Sequence, residues 1–184
     1  MFKINAFCIA TVTPLMLSIG AVSAENNPAN SYPTYQNGTL TIPRVDAPTQ
    51  PGTFQNATFR YNGQGTWDLL SVETARPFAL EQVTLVITDS FPVQVFLNIQ
   101  GRQSCESIGP INQRLVNNRF EVTVNIDNPS VAVDCIELYA SYHEKNIPLS
   151  VYDLSAGSYE YSVNGGKYVG TFTLARDNRF APTR

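Results

Sequence analysis

From residue 78 onward, apolar and polar side chains alternate with a period of two. In QVTLVITD, Val83, Leu85 and Ile87 share one face, and in PVQVFLNIQ so do Val93, Val95, Leu97 and Ile99. In RFEVTVNID, Phe120, Val122, Val124 and Ile126 line one face, with Glu121, Thr123 and Asn125 opposite. The same rule sets Tyr159, Tyr161 and Val163 against Glu160 and Ser162, and then, after Asn164-Gly165-Gly166-Lys167, groups Tyr168, Gly170, Phe172 and Leu174. Each pattern predicts a strand with one buried face, because successive side chains on a strand point to opposite sides. After residue 24, no segment carries an apolar three-to-four spacing over three turns. Short strands about ten residues apart with Gly, Pro and Asn between them predict an all-β chain, an antiparallel Greek-key sandwich over residues 78–178.

The preceding stretch reads differently. Residues 25–52 hold Pro28, Pro33, Pro43, Pro48 and Pro51 among Asn, Ser and Thr. Proline removes backbone donors, so the segment is expected to be extended and loosely packed, with only Thr39 to Ile42 alternating like a strand after the turn dipeptide Asn37-Gly38. Residues 53–77 predict a β-hairpin extension: FQNATFRY, the turn Asn62-Gly63-Gln64-Gly65, then TWDLLSV. Trp67, Leu69 and Ser71 would face one way and Asp68, Leu70 and Val72 the other. Two partly apolar faces imply a hairpin covered on both sides or one awaiting a partner. Residues 179–184 are left as a flexible tail.

The run Asp153-Leu154-Ser155-Ala156-Gly157-Ser158-Tyr159 resembles the one before the penultimate strands of immunoglobulin-like domains, and also its fibronectin type III counterpart. The resemblance covers about Phe78 to Asn178 and implies a sandwich in which Tyr159 forms a corner, its hydroxyl bonded to backbone a few residues upstream. Tyr161 stands where an antibody-type domain has a cysteine, so the likeness is to the broad sandwich class. PLSVYDLSAGSYEYSVNG followed by GTFTL is also similar to the C-terminal ends of exported bacterial proteins to which no reaction is assigned.

Composition adds an address. Residues 1–24 carry one base, Lys3, then an apolar run through Leu15, Met16, Leu17 and Ile19, then Val22-Ser23-Ala24, the pattern of a signal peptide cleaved before Glu25. Thr11, Thr13, Pro14 and Ser18 interrupt the run, which is too short for a membrane span. The expected location is periplasmic or extracellular. The chain holds 12 Lys and Arg against 15 Asp and Glu, and Lys3 leaves with the leader. With no basic run, a nucleic-acid partner is not expected. Cys8 belongs to the leader, and in an exported chain the remaining Cys105 and Cys135 read as a disulfide, restricting the unfolded chain by roughly 3–4 kcal/mol.

Catalytic chemistry finds little to work with. The one histidine, His143, has no nucleophile motif to serve, and Ser104 and Cys105 lack an activating context. His143 and Glu144 are adjacent, so a strand points them apart and no metal-ligand pair results. Asp127-Asn128 and Asp177-Asn178 each offer too few oxygens for calcium. The acids are scattered without a glycosidase-like pair, and Gly63-Gln64-Gly65 is a turn, not a phosphate loop. No cofactor or metal is expected. Asn37 and Asn56 lie in glycosylation sequons. The aromatics crowding residues 32–67 read first as packing, yet Tyr61 and Trp67 suit a sugar ring or a partner chain if they share a face. The segment Arg102 to Arg114 reads as a loop suited to protein recognition. The expectation is an exported non-enzymatic binding or structural module that recognises a protein through loops. The alternatives are a carbohydrate binder using Tyr61 and Trp67, and a secreted hydrolase inhibitor.

Overall fold

The structure, a computed structural model, describes residues 32–103, 106–127 and 141–180. These fold into eleven strands in three sheets: β1 (Thr34–Gln36), β2 (Thr39–Ala47), β3 (Gln50–Tyr61), β4 (Trp67–Thr74), β5 (Leu80–Ile87), β6 (Val95–Gln103), β7 (Ile108–Val116), β8 (Arg119–Ile126), β9 (Ser141–Leu149), β10 (Gly157–Val163) and β11 (Tyr168–Leu174). The N-terminal sheet has the order β1-β2-β3-β4, and two further sheets, β5-β6-β9 and β11-β10-β8-β7, form the β-sandwich.

The alternation lies where the core is. Val95, Leu97 and Ile99 of β6, Phe120, Val122, Val124 and Ile126 of β8, Ile147 and Leu149 of β9, and Tyr159, Val163, Phe172 and Leu174 of β10 and β11 are all buried. Val83 and Leu85 pack against them from β5, whereas Ile87, expected on the same face, is exposed at the strand end. Phe120, Tyr159 and Phe172 form an aromatic cluster, with Tyr159 and Phe172 stacked at 5.6 Å.

One ladder departs from the antiparallel expectation. β8 and β10 pair in parallel, Phe120 opposite Tyr161 and Val122 opposite Val163. A parallel pair requires a crossover, and β9 supplies it by lying in the opposite sheet. Strands β7 and β8 form an antiparallel hairpin whose second strand, not its first, adjoins β10.

The N-terminal region is more ordered than its prolines suggest. Residues 25–52 were expected to be loosely extended and 53–77 to be a β-hairpin extension, but β2 and β3 pair from Thr39 opposite Arg60 to Ala47 opposite Gln50, so the expected boundary at residue 52 falls inside β3. β1 pairs only with Thr39 to Thr41, which leaves Pro43 where one side of β2 is an open edge and a missing N–H costs no ladder bond. Pro51 falls in the irregularity between Val45 and Ala47, another place that tolerates proline.

That irregularity docks the sheet on the sandwich. Gly52 has φ +63°, and the side chain of Asn112 on β7 fills the space a Cβ would take. The guanidinium of Arg114, also on β7, donates to Glu121 Oε2 at 2.6 Å and to the Pro48 carbonyl at 2.7 Å, and reaches Asp46 Oδ2 at 3.6 Å. Asp46 also accepts from Arg44 and from Gly52 N, both at 2.8 Å. The hydrogen bond from Arg44 lowers the Asp46 pKa from its ordinary value of 3.8; Gly52 N–H and the charges of Arg44 and Arg114 add to this, against an opposing contribution from burial. Strand β3, which Gly52 seats against Asn112, lies against β7 and β8, and Asn112, Thr123 and Asn125 on the outward side of these strands are buried.

A second tie closes the far end. Asn178, 1% exposed, accepts from Val93 N at 2.7 Å and donates to the carbonyls of Val93 and Val151 at 2.9 and 3.0 Å. Its backbone N donates to Leu154 O and its carbonyl accepts from Asp153 N. One side chain thus binds the entry to β6, the exit from β9 and the chain after β11.

Asn178→Ala should cost roughly 2–4 kcal/mol, since it leaves three buried backbone groups unpaired. Asn178→Asp should cost at least as much, because a carboxylate oxygen would then face two carbonyls. Denaturant unfolding measures both, and a loss below about 1 kcal/mol for Asn178→Ala would remove the tie. At Asp46, a depressed pKa means that the stabilisation is complete above about 3.8 and is lost as pH falls through the folded value. The one tryptophan, Trp67, lies in the N-terminal sheet and reports on it. Unfolding followed by its fluorescence should show Asp46→Asn destabilised by about 1 kcal/mol at pH 6, with the gap narrowing as pH falls below about 3.8. A gap independent of pH would contradict this role.

Candidate functional site

β4 is the edge of the N-terminal sheet, and all eight of its residues are exposed. It pairs with β3, Tyr61 opposite Trp67 and Phe59 opposite Leu69, with a bulge before Ser71. Neither the sandwich nor another strand among the described residues covers its outer side. Of the two alternatives for the hairpin, coverage on both sides or a face awaiting a partner, the exposed β4 excludes the first, and the reading of Trp67 as packing between hairpin and sandwich is corrected with it. Trp67 is 43% and Tyr61 45% exposed, and Leu69, Leu70 and Val72 continue the apolar surface.

The rings are gathered but not coplanar. Trp67 meets Tyr61 at 5.5 Å, tilted by 59°, and Tyr35 edge-on at 5.9 Å. Register puts Tyr35 opposite Leu40, Leu40 opposite Phe59 and Phe59 opposite Leu69, so the three rings share a face with an apolar row. The Tyr61 hydroxyl is engaged, accepting from Gly65 N at 3.2 Å in the β3–β4 turn. That turn is closed by Asn62 N to Thr66 O and by Gln64 N to Asn62 Oδ1. Tyr35 was among the aromatics crowding residues 32–67, but its place beside Trp67 was not legible, because nothing in TYQNGTL says that β1 shares a face with β4 across two intervening strands.

The segment from Arg102 to Arg114 is not a single loop. Residues Ile108–Val116 are strand β7, with Gly109 and Pro110 taken up where the register shifts between Ile108 and Ile111. Arg114 is spent on Glu121, Asp46 and Pro48 and is therefore a docking residue, not an exposed recognition group. Arg102 is exposed on β6, opposite Tyr142 of β9. The proposed disulfide partners Cys105 and Cys135 lie outside the described residues, as do Ser104, residues 1–24 and Asn128.

Tyr159 makes the local geometry of a tyrosine corner: its hydroxyl donates to Ser155 O at 2.9 Å. Gly157 follows the bend, and Asp177 Oδ1 accepts from Ala156 N at 3.0 Å. With Asp177 also facing Arg179 and the Asn178 amide used internally, the oxygens of that turn serve the fold. His143 stands edge-on to Phe78, ring centres 5.5 Å apart, with Nε2 enclosed and without a hydrogen-bond partner. Among the described residues no three His, Cys, Asp or Glu side chains group as metal ligands, and no helix is long and apolar enough to cross a membrane. Asn56 of the second sequon is exposed but donates to Glu73 Oε2 at 3.0 Å.

No curated protein and no solved structure matched the chain. Residues 95–174, from the first residue of β6 to the last of β11, match the family model of the ORF11 beta-sandwich domain, and in this span the chain is similar to that family.

Proposed function

We propose that the protein is an exported, non-enzymatic binding module that engages a protein partner by strand addition at β4. The observation that carries this reading is an edge strand exposed along its whole length. Half of its backbone donors and acceptors point away from β3, and apolar side chains flank them. Such an edge is a template for an extended segment of another chain: the backbone gives affinity and alternate side chains give specificity. Asp68 and Glu73 are its only charges, a light defence against pairing for a strand of eight residues.

Export is supported by the leader pattern of residues 1–24 and by the cysteine pair. The non-enzymatic reading is supported by His143, whose ring is turned against Phe78. The immunoglobulin-like type is supported by the Tyr159 corner and by the grouping of the first, second and fifth sandwich strands in one sheet, as in A, B and E of that fold. The parallel β8–β10 pair is a variation on it. A hydrolase inhibitor is one form this module can take. A sugar platform at Tyr61 and Trp67 fits less well, because tilted rings and an occupied Tyr61 hydroxyl leave no flat polar-edged surface.

The test is capture of a partner from the exported fraction of the source by the immobilised protein, compared with a Leu69→Lys, Val72→Lys variant. Capture should fall at least tenfold in that variant and persist in Asn98→Ala on the distant sheet, with melting temperatures unchanged. Capture indifferent to the β4 changes, or no specific capture at all, would sink the reading.

A further inference from the structure

The two outward faces of the sandwich have different fates. The face of β7 and β8 is packed against β3 of the N-terminal sheet. The outward face of β5-β6-β9 carries cross-strand rows given by the register: Gln82, Gln100 and Glu144; then Thr84, Asn98 and Asn146; then Val86, Phe96 and Pro148. Rows on one face of a strand are about 7 Å apart. Beyond the first row stand Arg102 and Tyr142.

The amides are held in place. Asn98 Nδ2 donates to Glu144 Oε1 at 2.8 Å and to Asn146 Oδ1 at 2.9 Å, while Asn98 Oδ1 accepts from Gln100 Nε2 at 3.1 Å. Gln82 Nε2 donates to Thr84 Oγ1 at 3.0 Å. Both Nδ2 hydrogens of Asn98 are thereby used. Asn146 Nδ2, Gln100 Oε1 and Gln82 Oε1 have no partner among the described residues, so the network leaves donors and acceptors in fixed positions. Solubility alone needs no such order; ordinary charged side chains achieve it without losing their rotamer freedom.

The third row opens into a groove of about 460 Å³ lined chiefly by Val93, Phe96, Pro148, Val151, Tyr152 and Phe180, with Tyr152 and Phe180 well exposed. Its size and apolar lining suit a small ligand or part of a larger one. The single carboxylate of the rows, Glu144, is offset by Arg102 at the same end, so the surface has no field to attract a polyanion.

We propose that this face and its adjoining groove bind a neutral oligosaccharide. Hydroxyl groups both donate and accept, which matches the amide donors and acceptors that the network leaves facing solvent. The apolar C–H faces of the sugar rings match Phe96, Tyr152 and Phe180. The site is separate from β4, and neither reading rests on the other.

The experiment is a printed array of neutral and anionic glycans probed with the full chain. Neutral glycans should be bound, and the signal should fall at least tenfold in Asn98→Ala, in Asn146→Ala and in Tyr152→Ala, all exposed or half-exposed sites whose melting temperatures check folding. Leu69→Lys should leave it unchanged. The proposal is overturned if no neutral glycan binds, if only anionic glycans bind, or if binding survives all three alanine variants. It is also overturned if the face captures a protein instead, seen as capture lost in Asn98→Ala but kept in Leu69→Lys.

Discussion

The structure depends on β8 being covered on both faces. Its inward residues, Phe120, Val122, Val124 and Ile126, fill the sandwich core, while Thr123 and Asn125 on the other face are equally inaccessible. An antiparallel strand usually spends one face on solvent. Here β3 and the turn before it take that place, seated by Gly52 against Asn112 and by Arg114 against Asp46 and Pro48. The arrangement carries a cost, because Thr123 Oγ1 and both side-chain atoms of Asn125 are buried without a hydrogen-bond partner. Arg114 helps to offset it: one guanidinium joins its own sheet, a carboxylate of the N-terminal sheet and a turn carbonyl. Removing the turn would leave β2 and β3 without an anchor and so uncover the polar row.

What could be read from the sequence follows from the range of the interactions. Period-two alternation is local, so the inward faces of β6, β8, β10 and β11 were legible, and with them the all-β sandwich. Tyr159 was legible because its hydroxyl partner, Ser155, is four residues away. Asn178 was not: its partners at Val93 lie 85 residues distant, and in DNR it looks like any turn asparagine. Arg114 was misread for the same reason. β7 was hidden by Gly109 and Pro110, which interrupt its pattern at the register shift that accommodates them. The start of β2 was legible in Thr39 to Ile42, but Pro43, which sits where pairing is needed on one side only, hid its continuation to Ala47. In each case proline marked a missing donor, and the fold placed it where none was required.

The two candidate surfaces were unequal in the sequence. Trp67 and Tyr61 drew attention as large aromatics, and the structure places them beside Tyr35 on an exposed edge. The amide rows on β5, β6 and β9 drew none. Gln82, Asn98, Gln100 and Asn146 are spread over 65 positions of the chain, and each alone is an ordinary outward residue of an alternating strand. Only the register of three strands makes them a surface. Arg102, singled out as part of a loop, turns out to stand at the end of those rows.

The asymmetry of the sandwich gives these surfaces their meaning. One outer face is used to hold the N-terminal sheet, in which β4 has no partner on its outer edge among the described residues. The other outer face keeps an ordered polar network that contributes nothing to the core packing. An edge strand offers backbone pairing and is indifferent to the partner's exact side chains, whereas a fixed amide network offers directional contacts and selects hydroxyl geometry. On the proposed readings, affinity for an extended chain and selectivity for a polar surface would lie on separate elements. Between them stands the sandwich, tied by Asn178 at one end and Arg114 at the other.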